Sequence, residues 1–188
     1  MSRLVILDRD GVINEDSDDY IRNLDQWHPV PGSIGAIAAL HRAGYTVAIA
    51  TNQSGLSRGY FGLDELEAIH QYLLTLVEQA GGEIAMIAYC PHLPDEGCDC
   101  RKPGTGLLEA ISRELDMPLE GAHFVGDSLK DLQAGEAANC IPLLVETGKG
   151  QRTITALDDA LAAHSLSQRP LIYPNLAEAA KAIIAAGA

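Results

Sequence analysis

The sequence predicts an α/β fold, a doubly wound parallel sheet with helices on both faces, in one domain spanning residues 1–188. Three observations predict it. Apolar runs of strand length alternate with amphipathic stretches of helical period along the chain. The clearest run, Leu4-Val5-Ile6-Leu7, has no polar position, as a strand buried on both faces requires. Several runs also end in polar residues close to a glycine, the chemistry expected where open α/β sheets bind ligands at the carboxyl ends of their strands.

The chain has 188 residues, 47% of them hydrophobic, which suits one substantial core and is short for two. No apolar run reaches membrane-spanning length. Met1-Ser2-Arg3 leads straight into the first strand without a secretory segment, so a cytoplasmic location is expected. The net charge of −13 argues against a nucleic-acid partner. A small phosphorylated substrate stays compatible with that charge, because local cations and a metal reverse the field within a site. A monomer without a membrane or nucleic-acid partner is expected.

The first strand ends in Asp8-Arg9-Asp10-Gly11. Two carboxylates one residue apart repel each other, and a divalent cation is the usual remedy, although an isolated pair would read as a polar turn. Glu15 to Val30 is polar and turn-rich, with Asp16, Tyr20 and Trp27; directly after that strand, it is expected to form a substrate-facing flap. Pro31-Gly32-Ser33 opens a helix with Ile34, Ile37, Ala38 and Leu40 at helical spacing and Gly44 as its stop. Tyr45 to Ala50 is the second strand. It ends at Thr51-Asn52-Gln53-Ser54-Gly55, where a hydroxyl and approachable backbone amides suit a phosphoryl group.

A turn-rich loop carrying Arg58 leads to a helix over Leu63 to Ala80, with Leu66, Ile69, Leu73, Leu76 and Val77 facing the core. His70 reads as a surface residue of that helix. Ile84 to Tyr89 is the third strand, and Thr105 to Met117 a helix with Leu107, Leu108, Ile111 and Leu115 inward. The fourth strand, His123-Phe124-Val125, delivers Gly126-Asp127-Ser128. Asp131, four residues beyond the acid, is placed to bond backbone or serine groups or to stand behind a metal. Ile141 to Val145 is the fifth strand, with Cys140 a small core residue at its start. The tail holds a further strand over Pro170 to Tyr173 and an alanine-rich helix capped by Asn175, with Asp158, Asp159 and His164 facing solvent.

Between the third strand and the next helix lies the pattern C-x-H-x5-C-x-C, formed by Cys90, His92, Cys98 and Cys100. Three thiolates and one imidazole make a closed tetrahedral set, which predicts structural rather than catalytic zinc in a reducing compartment. Free buried thiols fit poorly in a loop marked by Pro94, Gly97 and acids. The metal would hold together a loop that has no core of its own, and would set Arg101 and Lys102 at the mouth of the site.

Together these motifs resemble the haloacid dehalogenase (HAD) superfamily of aspartate-nucleophile phosphatases. Leu7-Asp8-Arg9-Asp10-Gly11-Val12-Ile13-Asn14 is similar to its first motif and Thr51-Asn52-Gln53-Ser54 to its second. Lys102 is similar to the third, and Gly126-Asp127-Ser128-Leu129-Lys130-Asp131 to the fourth. The resemblance implies a HAD fold without a large cap, in which Asp8 attacks phosphorus and forms an aspartyl-phosphate. It implies Mg²⁺ held by Asp8, the Asp10 backbone carbonyl and Asp127. Asp10 would be the general acid and base, and Thr51 and Lys102 would bind phosphoryl oxygens. The family dehalogenases lack an acid at the Asp10 position, so its presence points to phosphoester hydrolysis.

Within the superfamily, the chain resembles the heptose 1,7-bisphosphate phosphatases of lipopolysaccharide precursor synthesis, with histidinol-phosphatase domains as near relatives. A bisphosphorylated sugar needs a second anion site, expected at Arg101 and at Arg58 of the Ser54-Gly55-x-x-Arg58-Gly59 run. Further substrate contacts are expected from Arg9, Asp16 and Tyr20, and from Asn52, Gln53 and Ser54. Ser128, where some heptose phosphatases carry lysine, is another. Histidinol phosphate is the alternative substrate. A zinc-stabilised interaction module is the non-enzymatic alternative, against which stand the intact Asp8, Asp10, Thr51, Lys102 and Asp127.

Overall fold

Leu4 to Leu7 form strand β1, and all four side chains are fully buried. The computed structural model describes residues 2–188. In it β1 lies at the centre of a six-stranded sheet, with β2 (Thr46–Asn52) on one side and β4 (His123–Gly126) on the other. β3 (Met86–Cys90) lies outside β2, and β5 (Ile141–Val145) and β6 (Leu171–Tyr173) extend the sheet beyond β4. Every neighbouring pair is parallel. The order β3-β2-β1-β4-β5-β6 therefore reverses between β1 and β4, which opens a crevice at their carboxyl ends.

Strand pleating divides the core. Val5 and Leu7 point to the face covered by α1 (Ser33–Arg42), α2 (Leu63–Gln79) and α6 (Leu176–Ala186). Leu4 and Ile6 point to the other face, packed by Leu107, Leu108 and Ile111 of α3 (Gly106–Leu115) and Ala134 of α4 (Leu129–Ala137). Leu157 and Ala160 of α5 (Gly150–Ala162) close a smaller cluster over Leu144. Asn175 caps α6, its side chain accepting from the Glu178 amide at 3.0 Å.

The expected strands and helices form, with ends displaced by one to a few residues. β2 runs on through Thr51 and Asn52, so both side chains are carried by regular strand. The flap after β1 is anchored rather than fully solvated: Ile21 and Trp27 are buried in the main core, and Trp27 meets Tyr72 of α2 edge-to-face at 5.7 Å. His70 corrects the surface reading. It is one turn beyond Leu66 on the buried side of α2 and is itself buried. No helix among the described residues is long and apolar enough to cross a membrane.

Candidate active site

The Asp8 amide donates to the Val125 carbonyl at 3.0 Å, which brings Asp8 to the rim of the crevice between β1 and β4. Asp127 follows β4 on the same rim. Two glycines let the chain close around it. Gly11 (φ +86°) and Gly148 (φ +59°) are in the left-handed region, and a side chain at either would enter the space of the Asp127 carboxylate. The loop after β5 is tied to the loop after β1 by Thr147 Oγ1, which donates to the Gly11 carbonyl at 2.6 Å. The Lys149 amide donates to Asp127 Oδ2 at 2.8 Å.

Carboxylate oxygens of Asp8, Asp127 and Asp131 lie within 4.8 Å of one another. Burial, then repulsion from Asp131 and Asp10 against the pull of Lys102, pushes Asp8 up to about 7. Burial, then repulsion from Asp8 and Asp131, pushes Asp127 up to about 9. Asp131 goes the other way: burial opposes its charge, but Lys102 and the bonds from Ser128 hold it below the ordinary carboxylate range. Asp131 is thus already neutralised, while Asp8 and Asp127 repel each other without an intervening cation. That donor set fits a hard divalent ion, for which all-oxygen ligation is the rule.

Lys102 is buried with Nζ 2.6 Å from Asp131, 3.1 Å from Asp8 and 2.9 Å from the Ala50 carbonyl. These two anions outweigh its burial and hold its pKa above the ordinary lysine value. Asn52 fixes the Lys102 backbone: the Lys102 amide donates to Asn52 Oδ1 at 3.0 Å, and Asn52 Nδ2 donates to the Lys102 carbonyl at 3.2 Å. Asp131 Oδ2 accepts from the amide and hydroxyl of Ser128, the residue that caps α4. Ser128 therefore has a structural partner as well as a position on the cleft wall.

Asp10 is held on its own side of the site. Its Oδ1 accepts from Arg9 Nε at 2.9 Å, Arg9 Nη2 at 2.8 Å and Asn14 Nδ2 at 2.9 Å. Its Oδ2 accepts from Gln53 Nε2 at 3.1 Å, and the same amide group donates to Thr51 Oγ1 at 3.0 Å. Burial works against the charge, yet Arg9 and the Asn14 and Gln53 bonds hold Asp10 below the usual carboxylate range. The expected Arg9 substrate contact is corrected here. Arg9 is 0% exposed, with its third nitrogen 3.1 Å from His70 Nε2, and it does not line the cleft.

The cleft has a volume of about 470 Å³ and brings together Asp8, Asp10, Thr51, Lys102 and Asp127 with Asp16, Tyr20, Asn52, Gln53, Ser54, Arg101 and Ser128. Arg101 Nη1 is buried and has no hydrogen-bond partner among the described residues. Two cations that the sequence did not single out also line it, Lys130 and Lys149. The Gly148-Lys149-Gly150 turn at the end of the fifth strand was the available signal for the second. Lys149 pairs with Asp16 of the flap at 3.5 Å, and Arg152 with Asp18 at 3.0 Å. The structure does not bring Arg58 to the cleft. Its loop is turned outward, and its guanidinium lies 5.9 Å from the Tyr20 ring, which in turn meets Tyr60 edge-on at 5.1 Å.

Cys90, His92, Cys98 and Cys100 converge with their ligand atoms inside 4.8 Å of one another. Cys90 Sγ is 3.3 Å from His92 Nδ1 and 3.6 Å from Cys98 Sγ, and all three thiols are free. Three sulfurs and one imidazole nitrogen around a point fit a closed tetrahedral metal site, and such a set is typical of zinc.

A HAD-hydrolase-like family model matches residues 99–179. A D-glycero-beta-D-manno-heptose-1,7-bisphosphate 7-phosphatase of Pseudomonas aeruginosa is 54% identical over 185 residues, 98% of this chain and 99% of that protein. One of Neisseria meningitidis serogroup B is 48% identical, with 87% of each chain covered. Among solved structures, a D,D-heptose 1,7-bisphosphate phosphatase from B. bronchiseptica complexed with magnesium and phosphate is similar at a TM-score of 0.89 and 45% identity, with 99% of each chain covered. Another from Burkholderia thailandensis has a TM-score of 0.70 and 36% identity, covering 96% of this chain and 97% of that one.

Proposed function

The chain belongs to the D-glycero-β-D-manno-heptose-1,7-bisphosphate 7-phosphatases of the HAD superfamily, and we propose that, as one domain, it removes the 7-phosphate of that sugar bisphosphate. One observation carries the reading. A rim carboxylate (Asp8), a second carboxylate able to share a cation with it (Asp127) and a buried ammonium (Lys102) meet in one cleft beside a separately held acid (Asp10).

Asp8 is the nucleophile: one of its oxygens forms a bond to phosphorus as the bond to the sugar oxygen breaks, leaving an aspartyl-phosphate. Lys102 bears on the oxygens of the transferring group from one side and opposes the protonation of Asp8. Thr51 adds a hydroxyl donor. Asp10, ionised in the free site, takes a proton from solvent as the cleft fills and gives it to the departing sugar oxygen, then takes one from the water that hydrolyses the aspartyl-phosphate. Asp8, the Asp10 carbonyl and Asp127 would hold Mg²⁺, which when bound offsets the repulsion between carboxylate and phosphate. Cys90, His92, Cys98 and Cys100 would hold zinc as a structural ion that shapes the loop bearing Arg101.

The distal phosphate is assigned to Arg101, whose unpartnered buried nitrogen is a donor in want of an anion. Lys130 and Lys149 add positive charge to the same cleft. The test compares kcat/KM on the sugar bisphosphate and on a simple phosphate monoester. Arg101→Ala should lose about one to two decades on the bisphosphate, the worth of a charged hydrogen bond, and little on the monoester. Lys102→Ala should lose on both alike. Equal losses from Arg101→Ala on both substrates would overturn its assignment to the distal phosphate.

A further inference from the structure

Arg9 is fully buried, and its one carboxylate partner among the described residues is Asp10. Burying a guanidinium is a poor way to stabilise a fold, because desolvation of the pair offsets most of its attraction. The geometry suggests another use. Two Arg9 nitrogens and Asn14 Nδ2 saturate Asp10 Oδ1, leaving Oδ2 with Gln53 alone, a residue that lines the cleft as Asp10 does. Arg9 is in turn held from behind. Its Nη1 donates to His70 Nε2 at 3.1 Å, and since arginine only donates, His70 must offer that nitrogen as a lone pair and carry its proton on Nδ1. A neutral histidine, buried on α2, thus anchors an arginine that sets the rotamer of a carboxylate at the end of β1.

We propose that Arg9, anchored by His70, is the positioning residue that aims Asp10 Oδ2 at the leaving-group oxygen. This rests on Asp10 as the general acid. In that step the phosphorus–oxygen bond breaks, its electron pair stays on the sugar oxygen, and a proton that Oδ2 has first taken up from solvent, against the pull of Arg9 on the Asp10 charge, passes to that oxygen as Asp8 bonds to phosphorus. A tilted carboxylate would be misdirected for this transfer, while attack by Asp8 would proceed.

Leaving-group dependence separates this role from a structural one. A sugar phosphate leaves as a basic alkoxide and needs the proton, whereas the nitrophenolate of 4-nitrophenyl phosphate does not. kcat/KM reads the reaction only as far as leaving-group departure. Arg9→Lys and Arg9→Gln should lose about ten- to a hundredfold on the sugar phosphate and less than about threefold on the aryl ester. His70→Leu should show the same selectivity with a smaller loss, and it keeps the proposal testable if the Arg9 variants do not fold. Asp10→Asn should show the full selectivity, and Arg9→Lys added to it should cost nothing more. Equal losses on both esters in the Arg9 and His70 variants, with Asp10→Asn still selective, would overturn the proposal, as would additivity with Asp10→Asn. Equal losses for Asp10→Asn itself would instead overturn Asp10 as the acid, and the role of Arg9 with it.

Discussion

At the scale of single residues, the site depends on close approaches that only certain side chains permit. Gly11 is the clearest. An alanine there would adopt a left-handed backbone and meet the Asp127 carboxylate. Gly11→Ala should lower stability by about 1–3 kcal/mol and weaken Mg²⁺ binding, read by denaturant titration and by metal-dependent activity. Gly35→Ala is the control: Gly35 is inside α1, a methyl added there would meet nothing within 4 Å, and the change should be neutral or stabilising by a fraction of about 1 kcal/mol. The meeting of Asp8, Asp10, Thr51, Lys102 and Asp127 in one cleft was legible in the sequence because the motifs that carry them, weak singly, together resemble one family. Arg9 and His70 were not, because their meaning is each other. His70 did carry a hint, since it sits one turn from Leu66 and Leu73 on the inward stripe of α2. Arg58 lies outside the cleft lining for the opposite reason: a cation in a turn can point anywhere, and this one sits 5.9 Å from the Tyr20 ring.

At the scale of elements, the strands were easier to read than the helices. A strand buried on both faces is a solid apolar run, whereas α4 contains Gly135 and buries little beyond Leu132 and Ala134, and α5 starts at Gly150 without a side-chain cap. The apolar stripe of α4 is too weak to mark it, although Ser128 and Asp131 spell the capping box that opens it, whereas α5 has a stripe but no start signal. The cysteine loop is the element with most to lose. Cys98→Ser should lower zinc content as measured by elemental analysis of protein purified without chelator. Because Asn52 holds the Lys102 backbone independently, kcat/KM on the bisphosphate should fall further than on a simple monoester. Full zinc occupancy in Cys98→Ser would refute the ligand set.

At the scale of the whole molecule, topology and charge act together. The reversal of strand order between β1 and β4 gathers acids from two strands, and in a chain of net charge −13 nothing distant relieves them. With Asp8 up at about 7 and Asp127 at about 9 against 3.8 in the unfolded chain, the folded protein holds more protons than the unfolded one between those limits. Stability without Mg²⁺ should therefore fall as pH rises from about 4 to about 9, and the gain in Tm on adding Mg²⁺ should grow over the same range. His70, held down at about 4 by burial and Arg9, and His123, also lowered by burial, act in the opposite sense up to the ordinary histidine value of 6.5. That leaves the fall clearest between there and about 9, while Asp10 and Asp131, held low, act in that opposite sense only below the window. Melting curves at pH about 6 and about 8.5, with and without Mg²⁺ and without chelator, check this; a Mg²⁺ gain that shrinks with pH would contradict it. The crevice at the carboxyl ends of the strands was legible from the strand-end acids, but which strands flank it was not, nor was the tethering of the segment between β3 and Lys102. Gln53 bonds the Cys90 carbonyl through its amide at 2.7 Å, and Asn52 grips Lys102, so consecutive residues of one strand end clamp the two ends of the segment between. Exchanged by design with its metal ligands kept, that segment would carry Arg101, and with it the proposed contact to the distal phosphate, while the lysine stayed in register with the chemistry.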